Sequence, residues 1–317
     1  MTARWVDAAE LRAKLGFEDL IEPVSRALQD SSAGHARNGL IVLVPDDRAD
    51  LGDVYVKTGT LRGHAVYVVK ISPWFAVNLE RGQPQGGFLA VFDSHTGHTL
   101  AVLNDEHYLS DIRTAATGAL AARALAPPRV ETVVVLGAGT QAYWQTLALY
   151  HERRFTQLEL WARDPAKAAA LQARLAPALP GVAIALAGDV ETAVRGADVV
   201  ITATAARAPL LSGAWLRDGQ HVTAVGADDP SKCELDASAL RRARVFVDEL
   251  ETTAANGDIH RAIAGGNYRL AEVAGELGDV LAGRQPGRRS ARDITIAKLV
   301  GIGAQDLAAA TSALARL

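Results

Sequence analysis

Two glycines in the middle of the chain carry the strongest chemical signal in the sequence. Gly137 and Gly139 directly follow the aliphatic run Val133–Leu136, and Ala142 opens an apolar helical pattern three residues later. This G-x-G-x-x-A spacing is typical of dinucleotide binding when it joins a strand to a helix, as it does here. Gly137 permits a tight turn, Gly139 lets the backbone approach a pyrophosphate, and the helix start offers free N–H groups to an anion. The alternative is an ordinary glycine turn in an α/β domain.

The end of the next predicted strand bears on which dinucleotide would bind. NAD sites usually place a carboxylate there, where it binds the ribose hydroxyls. In this sequence Ala162 occupies that position and Arg163 follows, and a guanidinium suits a 2′-phosphate. The pattern favours NADP(H), whereas NAD(H) stays possible if the strand ends at Asp164. The other interpretation of Asp164 is the N-cap of a helix that begins at Pro165.

Two basic residues in apolar surroundings are candidates for binding a substrate carboxylate. Lys70 lies in the apolar strand pattern 66–71, where an unpaired ammonium would be costly to bury. Arg113 begins an alanine-rich helical pattern, and together with Lys70 it could bind a carboxylate. The alternative is that Lys70 faces water on an edge strand and that Arg113 is a surface arginine.

Polar residues at the ends of two later strands are candidates for the rest of a site. Asp228 and Asp229 follow the fifth predicted strand, and the carboxyl ends of parallel strands face the ligand crevice of a doubly wound sheet. A carboxylate there could hold a substrate amine or activate water, although a plain Asp-Pro turn is the alternative. By position, Thr204, Val225 and Lys232 are expected to contact a cofactor. An exposed lysine is the other interpretation of Lys232.

The elements that must position these residues form two groups. The first is helical over 7–31 and then strand-like, which predicts an antiparallel or mixed sheet; its strands are 40–44, 54–56, 65–71, 87–93 and 100–103. A helix is predicted over 113–125. From Glu131, strands alternate with helices; the strands are 133–136, 158–162, 182–186, 198–204, 221–225 and 244–248. Residues 294–313 are predicted as one long helix that returns to the first group.

These patterns predict an α/β protein with two domains. A Rossmann-type, doubly wound parallel sheet is expected at 119–299, and a second, α+β domain for substrate at 1–118 and 300–317. The formal charge of −3 and the pI near 6.2 argue against nucleic acid as a partner. The single cysteine, Cys233, excludes an internal disulfide, and no spacing suggests a metal site. With no signal-peptide core at the N-terminus and no long apolar span, the expectation is a soluble, cytoplasmic protein.

Several stretches together resemble the ornithine cyclodeaminase/μ-crystallin family, which includes ketimine reductases and one class of alanine dehydrogenase. The resemblance covers nearly the whole chain from about Leu40. The stretches that carry it are Val69-Lys-Ile-Ser, Asp111-Ile-Arg-Thr-Ala-Ala-Thr-Gly-Ala, Leu136-Gly-Ala-Gly-Thr-Gln-Ala, His221-Val-Thr-Ala-Val-Gly-Ala-Asp, Lys232-Cys-Glu-Leu-Asp and Gln305-Asp-Leu-Ala.

The resemblance implies a role for each matching residue. Lys70 and Arg113 would bind the substrate carboxylate, with Arg48 as a further contact, and Asp228 would handle the substrate nitrogen or a catalytic water. Lys70 could also supply a proton if its pKa is lowered. The implied cofactor contacts are Thr114, Gly139, Thr140, Gln141 and Lys232. The resemblance further implies a homodimer joined through the first domain and a small amino or imino acid as substrate.

Two positions depart from the family pattern. The glutamate that cyclodeaminases place near the substrate amine falls at about Lys57, and a lysine there would repel a second amino group. A family serine in the late segment corresponds to Leu299, which makes that part of the pocket more apolar.

Three functions follow from this pattern. The first is an NAD(P)-dependent oxidoreductase that passes a hydride between nicotinamide and the C=N carbon of a small imino or amino acid. The second is a cyclodeaminase-type lyase that oxidises an amine and returns the hydride, so that no cofactor is consumed. The third is a non-catalytic protein that binds a cofactor or ligand, against which the intact set of Lys70, Arg113 and Asp228 argues.

Overall fold

The computed structural model describes residues 2–45 and 51–317, and the elements named here are those of the described residues. The strands are β1 Arg4–Asp7, β2 Ala36–Leu43, β3 Gly52–Leu61, β4 Val66–Phe75, β5 Phe88–Asp93, β6 Thr99–Asn104, β7 Thr132–Leu136, β8 Gln157–Trp161, β9 Ala183–Leu186, β10 Val199–Thr202, β11 His221–Ala224, β12 Arg244–Val247, β13 Gly275–Glu276 and β14 Thr295–Lys298. The helices are α1 Ala8–Lys14, α2 Ile21–Ser32, α3 Ala76–Glu80, α4 Tyr108–Leu125, α5 Thr140–Glu152, α6 Pro165–Leu175, α7 Val190–Gly196, α8 Ala237–Arg242, α9 Leu250–Ala255, α10 Gly257–Ala264, α11 Leu277–Leu281 and α12 Gly303–Leu314. Short 3-10 turns cover Glu18–Leu20, Ala176–Ala178, Gly213–Trp215 and Leu270–Glu272.

The chain divides into two compact units. The first unit is Met1–Ala116 with Gly301–Leu317, and the second unit is Thr117–Val300. Helix α4 carries the chain from one to the other, because it begins at Tyr108 and ends at Leu125. The functions predicted for 1–118 with 300–317 and for 119–299 stay predictions.

The first unit is built on a mixed sheet in the order β1-β6-β5-β4-β3-β2. Its strand pairs are antiparallel, except that β1 runs parallel to β6. Helix α12 packs on β3 and β4. A close backbone approach makes this possible, because a Cβ added at Gly59 would collide with the backbone of Gly303. The start of α12 therefore lies directly on the strand that carries Lys57.

The second unit contains a parallel sheet in the order β13-β12-β14-β11-β10-β7-β8-β9. Strands β7, β10 and β11 lie next to one another and are buried along their full length apart from Thr132, as their aliphatic runs predict. The order reverses beside β7, which is the doubly wound arrangement. The predicted α/β fold class, with a Rossmann-type sheet and a separate α+β unit, is confirmed.

Two predicted elements differ from the structure. Residues 294–313 are not one helix, because 295–298 form β14 between β11 and β12, and the helix α12 begins only at Gly303. The four residues Thr295–Lys298 are all buried, and a short fully buried segment fits a central strand as well as a buried helix, so periodicity could not decide between them. The predicted helix 7–31 is broken near Leu15 into α1 and α2. Three parallel-pairing strands, β1, β13 and β14, were not predicted as strands.

Within the described ranges, no helix is long and apolar enough to cross a lipid bilayer.

Candidate active site

Lys70 is the buried centre of a polar cluster in the first unit. It lies in the interior strand β4 and its residue is only 3% exposed, so the edge-strand alternative is wrong. Its Nζ donates to Ser110 Oγ at 2.8 Å and to Asp306 Oδ1 at 3.0 Å. Ser110 lies in the first turn of α4 and Asp306 in α12, so three elements meet at one ammonium. Lys70 is therefore a paired, buried cation.

Arg113 is bound to the same carboxylate. Its Nε donates to Asp306 Oδ1 at 2.9 Å, and its Nη1 donates to Gln305 Oε1 at 3.0 Å. Arg113 is almost fully buried, and a Cβ added at Gly301 would meet its guanidinium. The predicted pair of Lys70 and Arg113 is thus brought together in this structure, with Asp306 between the two cations.

Lys57 is a third buried cation in this cluster. The register of β3 and β4 places it directly opposite Lys70, so the two side chains project from the same face of the sheet. Its Nζ donates to the carbonyl oxygen of Gly301 at 2.8 Å. We name the set Lys57, Lys70, Arg113 and Asp306 the cation cluster. Arg48, the further predicted carboxylate contact, lies outside the described residues.

The charges of the cation cluster act on one another. Burial lowers the pKa of the Lys70 ammonium, and the charge of Arg113 lowers it further, against the raising effect of Asp306. Burial alone would raise the pKa of Asp306, but the charges of Lys70, Arg113 and Lys57 outweigh it and lower that pKa. Asp306 therefore stays ionised, and its buried Oδ2 has no hydrogen-bond partner among the described residues.

A second buried carboxyl, that of Asp105, acts on Lys70 and directly precedes a strained turn. Burial raises the pKa of Asp105 to about 6, against the lowering effects of the Lys70 charge and of the Leu109 N–H that Asp105 binds. The next two residues, Glu106 and His107, both have positive φ, at 49° and 68°. Such backbone is costly outside glycine and often occurs at functional sites. The turn leads into the helix that carries Ser110.

The predicted dinucleotide loop has the expected local structure in the second unit. Gly137 has a φ of 127°, and a Cβ there would collide with the carbonyl group of Ala203, directly after β10. Its N–H donates to the Trp161 carbonyl at 2.8 Å. By contrast, a Cβ added at Gly139 would meet no protein atom within 4 Å. Gly137 is needed for internal packing, whereas Gly139 leaves open space at the start of α5, which fits a pyrophosphate.

After β8, Asp164 is the N-cap of the next helix, which is one of the two interpretations of this residue. Asp164 accepts a hydrogen bond from the N–H of Ala166 at 3.0 Å and caps α6, which begins at Pro165. The strand itself ends at Trp161. Arg163 is exposed and Ala162 is half-buried. The charged side chain at this strand end that is not engaged in capping the helix is therefore a guanidinium.

Asp228 and Lys232 form an ion pair after β11. Lys232 Nζ lies 2.7 Å from Asp228 Oδ1 and 3.2 Å from Asp229 Oδ2. Asp229 closes the turn itself, because its Oδ1 accepts from the Ser231 N–H at 2.6 Å and from the Lys232 N–H at 2.9 Å. Asp229 is buried, whereas the Asp228 side chain is 34% exposed. The structure thus distinguishes a turn-forming Asp229 from an accessible Asp228.

The remaining predicted cofactor contacts are dispersed. Thr114 belongs to the first unit and donates its hydroxyl to the Ser110 carbonyl at 2.7 Å. Thr140 is exposed at the start of α5, and Gln141 accepts from Gln145 at 3.3 Å. Val225 continues the β11 pairing, because its N–H binds the Thr202 carbonyl at 3.0 Å.

Thr204 leads to a buried glutamate that sequence reasoning missed. Glu234 accepts from the N–H of Thr204 at 2.6 Å and from the N–H of Gly226 at 2.8 Å, so it ties together the loops that follow β10 and β11. The neighbouring Asp258 accepts from the N–H of Glu234 and pairs with the fully buried Lys298 at 3.2 Å. These residues fix the strand ends where a ligand binds in doubly wound sheets.

Asp306 and Ser110 were also missed as site residues. Asp306 lies in the stretch Gln305-Asp-Leu-Ala, which carried the family resemblance but suggested no role. No spacing rule connects it with Lys70 or Arg113, because the link is formed only by packing. Within the described part of the chain, no group of three His, Cys, Asp or Glu side chains could hold a metal ion.

Comparison with known proteins identifies the family of this chain. An uncharacterized cyclodeaminase of Sinorhizobium fredii is 43% identical over 275 residues, which cover 86% of this chain and 82% of that protein. The Δ1-pyrroline-2-carboxylate reductase of Thermococcus litoralis, solved with NADH and L-proline, has a TM-score of 0.92 at 25% identity and covers 99% of this chain and 97% of its own. An archaeal alanine dehydrogenase dimer with bound NAD has a TM-score of 0.91 at 27% identity, with 100% and 96% covered. Residues 4–316 match the model of the ornithine cyclodeaminase/mu-crystallin family, and the chain belongs to that family.

Proposed function

We propose that the protein is an NAD(P)-dependent oxidoreductase acting on the C=N or C–N carbon of a small imino or amino acid. The observation that carries the proposal is the buried pair of Lys70 and Arg113, which share one carboxylate, Asp306. Two buried cations side by side are suited to binding an anion, and a substrate carboxylate has that chemistry. The loop at Gly137 and Gly139 in the second unit supports the binding of a dinucleotide cofactor.

In the proposed reaction, the residues of the two units have separate roles. Lys70 and Arg113 bind and orient the substrate carboxylate, and Asp228 orients the substrate nitrogen by accepting its N–H. The lowered pKa of Lys70 suits it to release a proton to the nitrogen as the C=N bond is reduced. When bound, the nicotinamide supplies or accepts the hydride. A relative named as a Δ1-pyrroline-2-carboxylate reductase and solved with L-proline, and a relative named as an alanine dehydrogenase, support this assignment by their chemistry.

NADP(H) is the proposed cofactor, with NAD(H) as the alternative. Gly139, Thr140 and Gln141 would bind the pyrophosphate, and Thr204, Val225 and Lys232 would contact the nicotinamide ribose. Asp164 is engaged in capping α6, and Arg163 is the exposed charge beside Ala162 at the strand end, which favours a 2′-phosphate. The structures of the two relatives, however, were solved with NADH and NAD.

A cyclodeaminase-type lyase is the second candidate, because one relative bears that name. Such an enzyme oxidises an amine and returns the hydride to the product, so NAD(P)H does not accumulate. The buried ammonium of Lys57 counts against a diamine substrate, since two like charges would meet.

A cytoplasmic homodimer is the proposed state of the protein. Strand β2 forms one edge of the first-unit sheet, and its apolar residues Ile41 and Leu43 are 58% and 49% exposed. Exposed apolar side chains on an unpaired edge favour a second copy of the chain as cover. Light scattering of Ile41→Lys would show a monomer if this edge joins the subunits, and an unchanged mass would exclude it.

One assay distinguishes the functions. Cyclic imines, and 2-oxo acids with ammonia or methylamine, are supplied with NADPH or NADH, and cofactor absorbance is compared with product. Equimolar oxidation supports the reductase, whereas ammonia release from an amino acid at constant cofactor absorbance supports the lyase. Asp228→Asn is the matched variant, expected to lower kcat by about 100-fold or more. Unchanged turnover in this variant would remove Asp228 from the mechanism, and cofactor binding without any turnover would favour the non-catalytic alternative.

A further inference from the structure

Glu234 is a fully buried carboxyl group that accepts four hydrogen bonds from the second unit. Its Oε1 accepts from the N–H of Thr204 at 2.6 Å and from the hydroxyl of the same residue at 2.9 Å. Its Oε2 accepts from the N–H of Gly226 at 2.8 Å and from the Thr202 hydroxyl at 2.9 Å. A carboxylate has roughly four acceptor sites, so those of Glu234 are filled by the protein itself. Glu234 therefore acts on the loops around it rather than on a ligand.

Three separate segments of the chain meet at this carboxylate. The residues proposed to contact the nicotinamide ribose are Thr204, Val225 and Lys232, and they come from three segments that follow β10 and β11. Glu234 binds Thr204 directly and binds Gly226, the neighbour of Val225. Lys232 precedes Glu234 by two residues in the same segment. One carboxylate thus sets the spacing of all three proposed contacts.

The packing around Glu234 leaves no room for another way of joining these loops. A Cβ added at Gly226 would lie 2.3 Å from the Thr204 nitrogen, 2.2 Å from the Thr204 oxygen and 2.5 Å from Glu234 Oε1. A larger residue at Gly226 would therefore push the two loops apart. Because both loops follow adjacent parallel strands, they lie at the edge of the sheet where ligands bind in doubly wound folds.

A buried ion pair holds Glu234 in place. Asp258 Oδ1 accepts from the N–H groups of Glu234 and Leu235, at 2.6 and 2.8 Å. Asp258 Oδ2 lies 3.2 Å from Lys298 Nζ, and both side chains are fully buried. Burial and the charge of Asp258 raise the pKa of Glu234, whereas the charge of Lys298 and the hydrogen bonds to Glu234 act in the opposite direction. Backbone and side chain of Glu234 are thus both fixed.

We propose that Glu234 is a positioning residue for the nicotinamide half of the cofactor. Its carboxylate holds the proposed ribose contacts at their spacing and does not itself touch the cofactor. The other half of the cofactor, adenosine with the pyrophosphate, would bind at Gly139 and Arg163, in the loops after β7 and β8. The role of Glu234 should therefore concern one half of the cofactor only. This inference rests on the proposed oxidoreductase function.

Replacement of Glu234 by Gln tests the role with little change of shape. Each oxygen of Glu234 accepts one backbone N–H, from Thr204 or from Gly226. The amide of Gln must turn its NH2 group toward one of these two donors, so one loop loses its bond in either orientation. The dissociation constants of NADPH and NADH should rise roughly tenfold. ADP and adenosine 2′,5′-bisphosphate lack the nicotinamide and its ribose, so their affinities should stay at the wild-type level. Isothermal titration calorimetry measures all four ligands.

Asp236→Ala is the matched control, because Asp236 also accepts two backbone N–H groups and two hydroxyls. Its donors are the N–H groups of Gly213 and Ala239 and the hydroxyls of Ser212 and Ser238. This variant should lower the melting temperature and leave the ratio of NADPH to ADP affinity unchanged. If Glu234→Gln weakens ADP as much as NADPH, or if Asp236→Ala changes the ratio equally, Glu234 has only a structural role and the proposal is wrong.

A second variant keeps the proposal testable if Glu234→Gln does not fold. Thr202→Val retains the shape of a side chain inside β10 and removes one donor to Glu234 Oε2. It should change the ratio of NADPH to ADP affinity in the same direction by roughly threefold, and an unchanged ratio would overturn the proposal. If the wild-type protein binds neither NADPH nor NADH, the proposed function itself is wrong, which is a different result.

Discussion

Lys70 and Asp306 are separated by 236 positions in the sequence, yet Lys70 Nζ lies 3.0 Å from Asp306 Oδ1. The same oxygen accepts from Arg113 Nε at 2.9 Å. Helix α12 thus returns to the first unit with the anion that keeps two buried cations in place. In the proposed function, a substrate carboxylate binds the same two cations, so Asp306 has a positioning role.

Replacement of Asp306 by Asn should destabilise the protein strongly. It removes the carboxylate shared by two buried cations, and loss of one partner of a buried ion pair costs about 3 to 5 kcal/mol. Urea unfolding measures the loss. The matched control is Asp218→Asn, since the Asp218–Arg292 pair is largely exposed, at 55% and 85% of its side chains. Equal effects of the two variants would show that the cation cluster does not depend on Asp306.

The stability of the protein should depend on pH through Asp105. Its pKa is raised from 3.8 to about 6, so between these values the unfolded state is ionised while the folded state stays protonated. The contribution of Asp105 to the free energy of unfolding is fully present below pH 3.8. It is lost as the pH rises through 6, a change of about 3 kcal/mol. Asp105→Asn cannot ionise and should gain stability over the wild type between pH 4 and pH 8.

The control for Asp105 is an aspartate with the opposite shift. Hydrogen bonds from the backbone and side chain of Thr96 lower the pKa of Asp93, which is half-buried. Asp93→Asn should therefore lose stability relative to the wild type as the pH rises. Denaturant unfolding at several pH values measures the free energy of unfolding of both variants relative to the wild type. If this difference does not vary with pH for Asp105→Asn, the prediction is wrong.

The two fingerprint glycines should respond differently to alanine. Gly137→Ala introduces a Cβ at a φ of 127° and against the Ala203 carbonyl, so it should cost roughly 2 kcal/mol or more in folding. Gly139→Ala has open space around its Cβ and should keep the wild-type melting temperature. Its affinity for NADPH or NADH, measured by fluorescence titration, should fall by roughly tenfold, because the pyrophosphate needs that space. Unchanged affinity would argue against the proposed phosphate site.

Substitution of Arg163 should change the choice of cofactor, whereas substitution of Asp164 should change the stability of the protein. Arg163→Ala should weaken NADPH binding by roughly tenfold and leave NADH binding nearly unchanged, since only NADPH carries the 2′-phosphate. Asp164→Ala removes the N-cap of α6 and should cost about 1 kcal/mol in unfolding free energy without altering the NADPH to NADH ratio. Equal losses of both cofactors in Arg163→Ala would contradict the proposed preference.

Sequence and tertiary structure contributed different parts of this description. The loop at Gly137 and Gly139 could be predicted because a strand, a turn and a helix follow one another within a short window, and their residue types determine local geometry. The strand at 295–298 could not be predicted, because these four buried residues form a strand only once β11 and β12 lie on either side of them. Its pairing partners are distant in sequence.

For the candidate site, too, the sequence predicted some residues and only the tertiary structure revealed others. The residue types of Lys70, Arg113 and Asp228 and the motifs around them singled out these side chains from the sequence alone. Only the fold decided that Asp306 joins the two cations, that Lys57 stands opposite Lys70, and that Glu234 ties the loops after β10 and β11. These contacts are set by strand register and by the packing of α12 on the sheet, and both arise from interactions between residues far apart in the chain.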